Sequence, residues 1–276
     1  MAVEARGNLR KMRIEPGAPA RYQLVIGDQL VELNDLLGRR VELEFLGAIH
    51  CVNCGRATRK SFSQGHCYPC FQKLASCDSC IVSPEKCHFD AGTCREPAWA
   101  QLHCMQPHVV YLANSSGLKV GITRGTQVPT RWLDQGAVQA LPIVGVQTRL
   151  QSGLVETMLK QHVADKTNWR TMLKGQVETL DLAAERDRLL ALCGDELGAL
   201  QQRFGLQAIQ LLPDVQPLAF DYPVLQFPTK VSSFDFDKTP QVSGTLMGIK
   251  GQYLMLDGGV INIRKFGAYQ IVFRSS

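Results

Sequence analysis

No apolar run in this chain reaches the roughly 18–20 residues that a membrane-crossing helix requires, so a membrane protein is not expected. The first residues, Met1 to Arg13, are polar and basic and contain no apolar core of a secretory signal. That absence points to a cytoplasmic, intracellular protein. Long blocks of like charge are missing too. The net charge is +5, and Arg6, Arg10, Lys11 and Arg13 form one short basic cluster, with Arg56, Arg59 and Lys60 another. Such an excess suits contact with a phosphate backbone but does not by itself require it. With 45% hydrophobic and 20% charged residues the composition is that of a folded globular chain rather than a disordered one. Its 276 residues suffice for about two domains.

Cysteine is almost absent outside one block. Of ten cysteines, nine lie between Cys51 and Cys104. Thiols in a reducing compartment stay reduced, so this density indicates metal rather than disulfides. Cys51-Val52-Asn53-Cys54 and Cys67-Tyr68-Pro69-Cys70 are two short knuckles with 12 residues between them. Each can present two sulfurs on one side of a turn, and the two together can enclose one tetrahedral zinc ion. No thioredoxin-like βαβ pattern surrounds them, which argues against a redox role. Containing no histidine, this first site reads as closed and structural. A second zinc site is expected from Cys77, Cys80, Cys87 and Cys94, with Cys104, His88, His103 or His108 able to replace one member. The block has few aliphatic residues, so metal is expected to supply much of its folding energy. Cys193 stands alone in an apolar helical context and reads as a small core residue.

Either side of the block the pattern is that of an α+β protein. An N-terminal β segment (1–50) includes Tyr22 to Ile26 and the alternating Val41-Glu42-Leu43-Glu44-Phe45. The zinc-binding region spans 51–108. In 109–175, Val109 to Ala113 and Leu118 to Thr123 form a hairpin across the turn residues Asn114-Ser115-Ser116-Gly117. Thr130 starts a short helix, Leu141 to Thr148 supplies a third strand, and Leu154, Val155, Met158 and Leu159 recur at helical spacing, with Ser152-Gly153 as the expected start. A helical segment (176–212) follows. The proline-rich connector and four short strands of 213–276 are expected to form a small β-barrel or sheet, which the N-terminal strands could complete.

The order of residues in 109–168 resembles the GIY-YIG nuclease superfamily. Val109-Val110-Tyr111 stands where the first tripeptide would be and Lys119-Val120-Gly121 where the second would, followed by Arg131, Glu156 and Asn168. The whole chain, on its Cys-His-Phe-Asp-Ala-Gly-Thr-Cys-Arg and Lys-Val-Gly-Ile-Thr-Arg segments, is similar to a bacterial zinc-knuckle family of unknown function (DUF2797-like). The first resemblance implies a small three-stranded sheet with helices and a catalytic set of Tyr111, Lys119, Arg131, Glu156 and Asn168. Tyr111 would orient or deprotonate water, Arg131 would grip phosphate, and Glu156 would hold Mg²⁺ or Mn²⁺. Lys119 occupies the place of the family's second tyrosine, a departure that bears directly on catalysis. The function so implied is divalent-metal-dependent cleavage of DNA or RNA phosphodiesters. The alternatives are a nucleic-acid-binding module without catalysis and a zinc-stabilised protein–protein adaptor.

Overall fold

Alternation fixes which face of each strand is buried. In Val41-Glu42-Leu43-Glu44 the two aliphatics are buried and the two glutamates half-buried, as the two-residue period of a strand demands. The computed structural model describes residues 3–276. Its strands are, in chain order, β1 (Val3–Glu15), β2 (Arg21–Ile26), β3 (Gln29–Glu32), β4 (Arg40–His50), β5 (Ala57–Thr58), β6 (His108–Asn114), β7 (Leu118–Arg124), β8 (Gln139–Val146), β9 (Ile209–Leu211), β10 (Leu218–Ala219), β11 (Gln241–Lys250), β12 (Tyr253–Leu256), β13 (Gly259–Asn262) and β14 (Tyr269–Ser275). The helices are α1 (Tyr68–Lys73), α2 (Pro97–His103), α3 (Thr130–Asp134), α4 (Arg149–Leu159), α5 (Trp169–Leu173), α6 (Leu182–Leu192) and α7 (Gly194–Phe204). None is long and apolar enough to cross a membrane.

The first sheet has nine strands in the order β13-β12-β11-β4-β14-β1-β2-β3, with β5 on β4. Val3 pairs with Ser275, so the two ends of the described chain lie side by side. The first half of β1 pairs with β14 and its second half with β2, which lets the sheet turn around one apolar cluster including Leu9, Leu24, Leu43, Leu254, Ile261 and Phe273. Of the barrel or sheet expected for the C-terminal strands, completed by those of the N-terminus, a sheet forms: it is open, ending at β13 and β3. Four short strands cannot cover their own apolar faces, and β4 and β1 take their places beside β11 and β14 instead.

The second sheet, β10-β8-β6-β7 with β9 on β8, grows from the expected hairpin and third strand and gains two strands from residues beyond 208. One face carries Val110, Leu112, Val120, Leu141 and Ile143 against Val155 and Leu159 of α4 and Leu189 of α6. The other carries Tyr111, Ala113 and Ala140 against Trp132 of α3. Helix α4 starts at Arg149, earlier than Ser152-Gly153, because Thr148 and Gln151 form a reciprocal capping box. The two sheets meet at α3: Asp134 pairs with Lys11 of β1 at 2.8 Å and accepts from Gln252 Nε2 at 2.8 Å.

Candidate functional site

Strand β4 runs directly into the first knuckle. Cys51 is buried at its end, and Gly55 turns the chain with φ near +69°, a conformation glycine adopts without strain. The second knuckle leads into α1, where Pro69 occupies an early helical position. The ligand atoms of Cys51, Cys54, Cys67 and Cys70 all lie within 4.8 Å of one another. Cys54 Sγ is 3.7 Å from Cys67 Sγ. A tetrahedron built on zinc–sulfur bonds of about 2.3 Å has edges of about 3.8 Å, so the spacing fits that ion. Burial pushes the Cys51 thiol up, but backbone N–H groups of Cys67, Cys54 and Asn53 outweigh it and bring it down to about 6. The Asn53 amide donates to Cys70 Sγ at 3.4 Å. Four soft sulfurs with donors around them, and no oxygen or water position among them, fit a structural zinc site.

The remaining cysteines behave differently. Cys80, Cys87, Cys94 and Cys104 line one small cavity, together with Asp78 and His88. Cys77 is buried but does not line it, and its sulfur lies 3.9 Å from Ser76 Oγ. Asp78, Cys80 and His88 also come within 4.8 Å of one another, yet Asp78 already holds Arg95 at 2.7 Å. His103 and His108 place their Nδ1 atoms 2.8 Å and 2.7 Å from the carbonyls of Trp99 and Gln106, and neither lines the cavity.

Across the second sheet, β6 and β7 set Tyr111 opposite Gly121 and Ala113 opposite Lys119. All four therefore face the same side. Gly121 is required there, since a Cβ would lie 2.8 Å from the Tyr111 hydroxyl. Tyr111 is fully buried, donates to Gln135 Oε1 at 2.9 Å and meets the edge of Trp132. Burial raises its pKa; the Arg131 guanidinium beside it works in the opposite direction but does not prevail. Lys119, also buried, is brought down to about 8 by burial and then by Arg131, against the attraction of Asp165 and Glu156. Glu156 is buried on α4. Burial raises its carboxyl pKa, partly opposed by Lys160, whose ammonium lies 3.3 Å from it and equally 3.3 Å from Asp165.

Tyr111, Lys119, Arg131 and Glu156 thus lie within electrostatic reach of one another. Asn168 has a different occupation: its side chain caps α5 by accepting from the amides of Arg170 and Thr171, and its own amide donates to Ser116 Oγ at the hairpin tip. One member of the group was not anticipated from sequence. Arg149 opens α4, interacts electrostatically with both Arg131 and Glu156, and donates from a terminal nitrogen to the Ile81 carbonyl at 2.7 Å. The capping box at Thr148 and Gln151 is the signal that would have placed it. Among the described residues no carboxylate lies within ion-pair distance of Lys119, Arg131 or Arg149, while Glu156 and Asp165 share Lys160. Glu156 and Asp165 reach these cations only at longer range, which leaves the group able to attract an anion.

A family model described as "Protein of unknown function (DUF2797)" matches residues 38–271, which takes in the cysteine block and most strands of both sheets. No curated protein and no solved structure matches the chain.

Proposed function

The chain belongs to the DUF2797 family of proteins of unknown function, and we propose that it is a zinc-stabilised nucleic-acid-binding protein that takes a phosphate backbone in the cleft of Tyr111, Lys119, Arg131 and Arg149. One observation carries this reading: Lys119, Arg131 and Arg149 lie within electrostatic reach of one another around a buried tyrosine, and none of them is in direct ion-pair contact with a carboxylate, Glu156 and Asp165 acting on them only at longer range. Arg131 is half-buried, whereas Tyr111 and Lys119 are buried, and Arg149 Nε is enclosed, so Arg131 is the member we assign to direct phosphate contact. Lys119 and Arg149 lie behind it and raise the local potential in a low-dielectric setting, where a charge acts more strongly than in water.

The same geometry supports binding better than cleavage. A phenol with a raised pKa is a poor base at neutral pH. Glu156 already pairs with the Lys160 ammonium at 3.3 Å. Metal-dependent hydrolysis remains the second reading, favoured by the grouping of Glu156 with Tyr111 and Arg131 and by the likeness to GIY-YIG nucleases in residue order. In that reading Glu156 would hold Mg²⁺ or Mn²⁺, with Lys160 paired to Asp165 alone, and the bound ion would lower the pKa of a water.

Fluorescence anisotropy with labelled single- and double-stranded DNA and RNA, followed by incubation with Mg²⁺ and Mn²⁺, tests both readings. Binding without cleavage is expected, with Arg131→Ala weakening it about tenfold, the worth of one charge-assisted contact. Cleavage abolished by Glu156→Ala would establish the second reading instead. No binding to any of the four nucleic acids would end both.

A further inference from the structure

Cys80, Cys87, Cys94 and Cys104 come from four separate places in the chain: two from the 3-10 turns at Ser79–Ile81 and just after Pro84–Lys86, one from the loop before α2, and one from the end of α2. They nevertheless line one cavity, beside the aromatic ring of Trp99. Ala75, Ile81, Phe89 and Ala100 complete the lining. The competing donor set, Asp78 with Cys80 and His88, is unsuited to a dication. The Arg95 guanidinium sits 2.7 Å from one oxygen of Asp78, His88 Nε2 lies 3.5 Å from that same oxygen, and Ser79 holds the other. His88 Nδ1 is engaged with Thr93. The four sulfurs are not drawn within 4.8 Å of one another as those of the first site are, so a metal would have to pull them together; four thiols around one cavity are nevertheless the donor set a soft metal selects.

Arg149 bears on the same place from the other side. Its backbone N–H donates to the Cys104 carbonyl at 2.8 Å, and its side chain donates to the carbonyl of Ile81, the neighbour of Cys80. Its Nε is buried without a hydrogen-bond partner. A guanidinium with a buried Nε, held to the neighbour of Cys80 by its side chain and beside Cys104 by its backbone, is a cation placed to offset the two net negative charges of a four-thiolate metal centre. Electrostatic coupling of Arg149 to Cys104 and Cys80 agrees with this placement.

We propose that Cys80, Cys87, Cys94 and Cys104 hold a second zinc ion and that Arg149 is its outer-shell cation, joining that centre to the cleft. Cys77 lies outside it. On binding, the thiols lose their protons to solvent and four zinc–sulfur bonds form, with no change of oxidation state. The zinc assignment stands apart from the nucleic-acid reading, since metal content reports it whether or not the protein binds nucleic acid. Only the role of Arg149 in the cleft rests on that reading.

The test is zinc per chain, by elemental mass spectrometry of the full chain purified in zinc-containing medium and desalted. Two ions are expected in the unaltered chain and in Cys77→Ser, and one in Cys104→Ser. Cys94→Ser, at a half-buried loop position, reads the same loss should Cys104→Ser fail to fold. Cobalt substitution gives a second readout: thiolate charge-transfer absorption is expected to halve in either variant and stay unchanged in Cys77→Ser. Arg149→Ala is expected to release one of its two zinc ions to a chelator at least threefold faster than the unaltered chain. A single zinc in the unaltered chain, two in both the Cys104 and Cys94 variants, or loss in Cys77→Ser would overturn the site. An unchanged release rate in Arg149→Ala would overturn the role given to that residue.

Discussion

Lys119 is the residue on which the cleft's charge turns. Buried beside Arg131, it titrates at about 8, against about 10.4 for a free lysine. Below pH 8 it is charged and attracts phosphate; above, it is neutral. Nucleic-acid affinity is therefore expected to fall several-fold between pH 7 and pH 9, measured by anisotropy at constant ionic strength. Lys119→Gln should bind more weakly at pH 7 and lose that dependence; an unchanged profile would remove Lys119 from the site. For stability the sign is opposite. The unfolded chain binds the proton more tightly, so this residue's contribution is present above about pH 10.4 and is lost as pH falls through 8. Gly121 is the second informative position, because any side chain there meets the Tyr111 ring. Gly121→Ala should destabilise the protein by about 1–3 kcal/mol in chemical denaturation, and a neutral change would mean that the ring moves freely. Tyr111, Arg131 and Glu156 were legible as a set from their order along the chain. Arg149 was not, because an arginine at a helix start carries no motif of its own. The burial of Tyr111 was equally hidden, since a strand tyrosine can face either way until the sheet acquires α3 on that side.

Helix α4 is the element that joins the cysteine block to the second sheet. Val155 and Leu159 face the sheet, while Gly153 lies flush against the turn at Pro84 and Glu85: a Cβ there would sit 2.4 Å from the Glu85 backbone nitrogen. Gly153→Val should force block and helix apart. The expected result is faster amide hydrogen exchange across residues 79–104 with little change in β1 or β14, and equal exchange would contradict the docking. Removing the cap with Thr148→Ala should cost about 0.5–2 kcal/mol, read by thermal or chemical denaturation. The hairpin of β6 and β7 was readable because alternation and turn residues are local signals. The 3-10 turns of the cysteine block were not, for they follow no hydrophobic period. The choice between a barrel and an open sheet was left undecided for a related reason. Alternation identifies the strands and their buried faces, but not which neighbour covers an edge.

At the scale of the whole molecule, the nine-stranded sheet has a large apolar core of its own, whereas the cysteine block has little. Zinc removal by a strong chelator should therefore loosen residues 51–104 while leaving β1, β4 and β14 protected, as hydrogen exchange can show. Simultaneous loss of both regions would mean that the sheet depends on the metal. The Arg149 contacts run from this block to the cleft, so zinc removal is also expected to weaken nucleic-acid binding. The two sheets meet through α3, where Arg131 lies three residues before Asp134, the partner of Lys11 and Gln252. That seam ties α3, and with it Arg131, to the first sheet. The most direct measurement of the central claim is the salt dependence of nucleic-acid affinity for the unaltered chain and for Arg131→Ala. A linear fall of log affinity with log salt is expected, with a slope shallower by about 0.7–0.9 in the variant, the value of one lost phosphate contact. A flat response in the unaltered chain, or the same slope in both proteins, would contradict a phosphate backbone in this cleft.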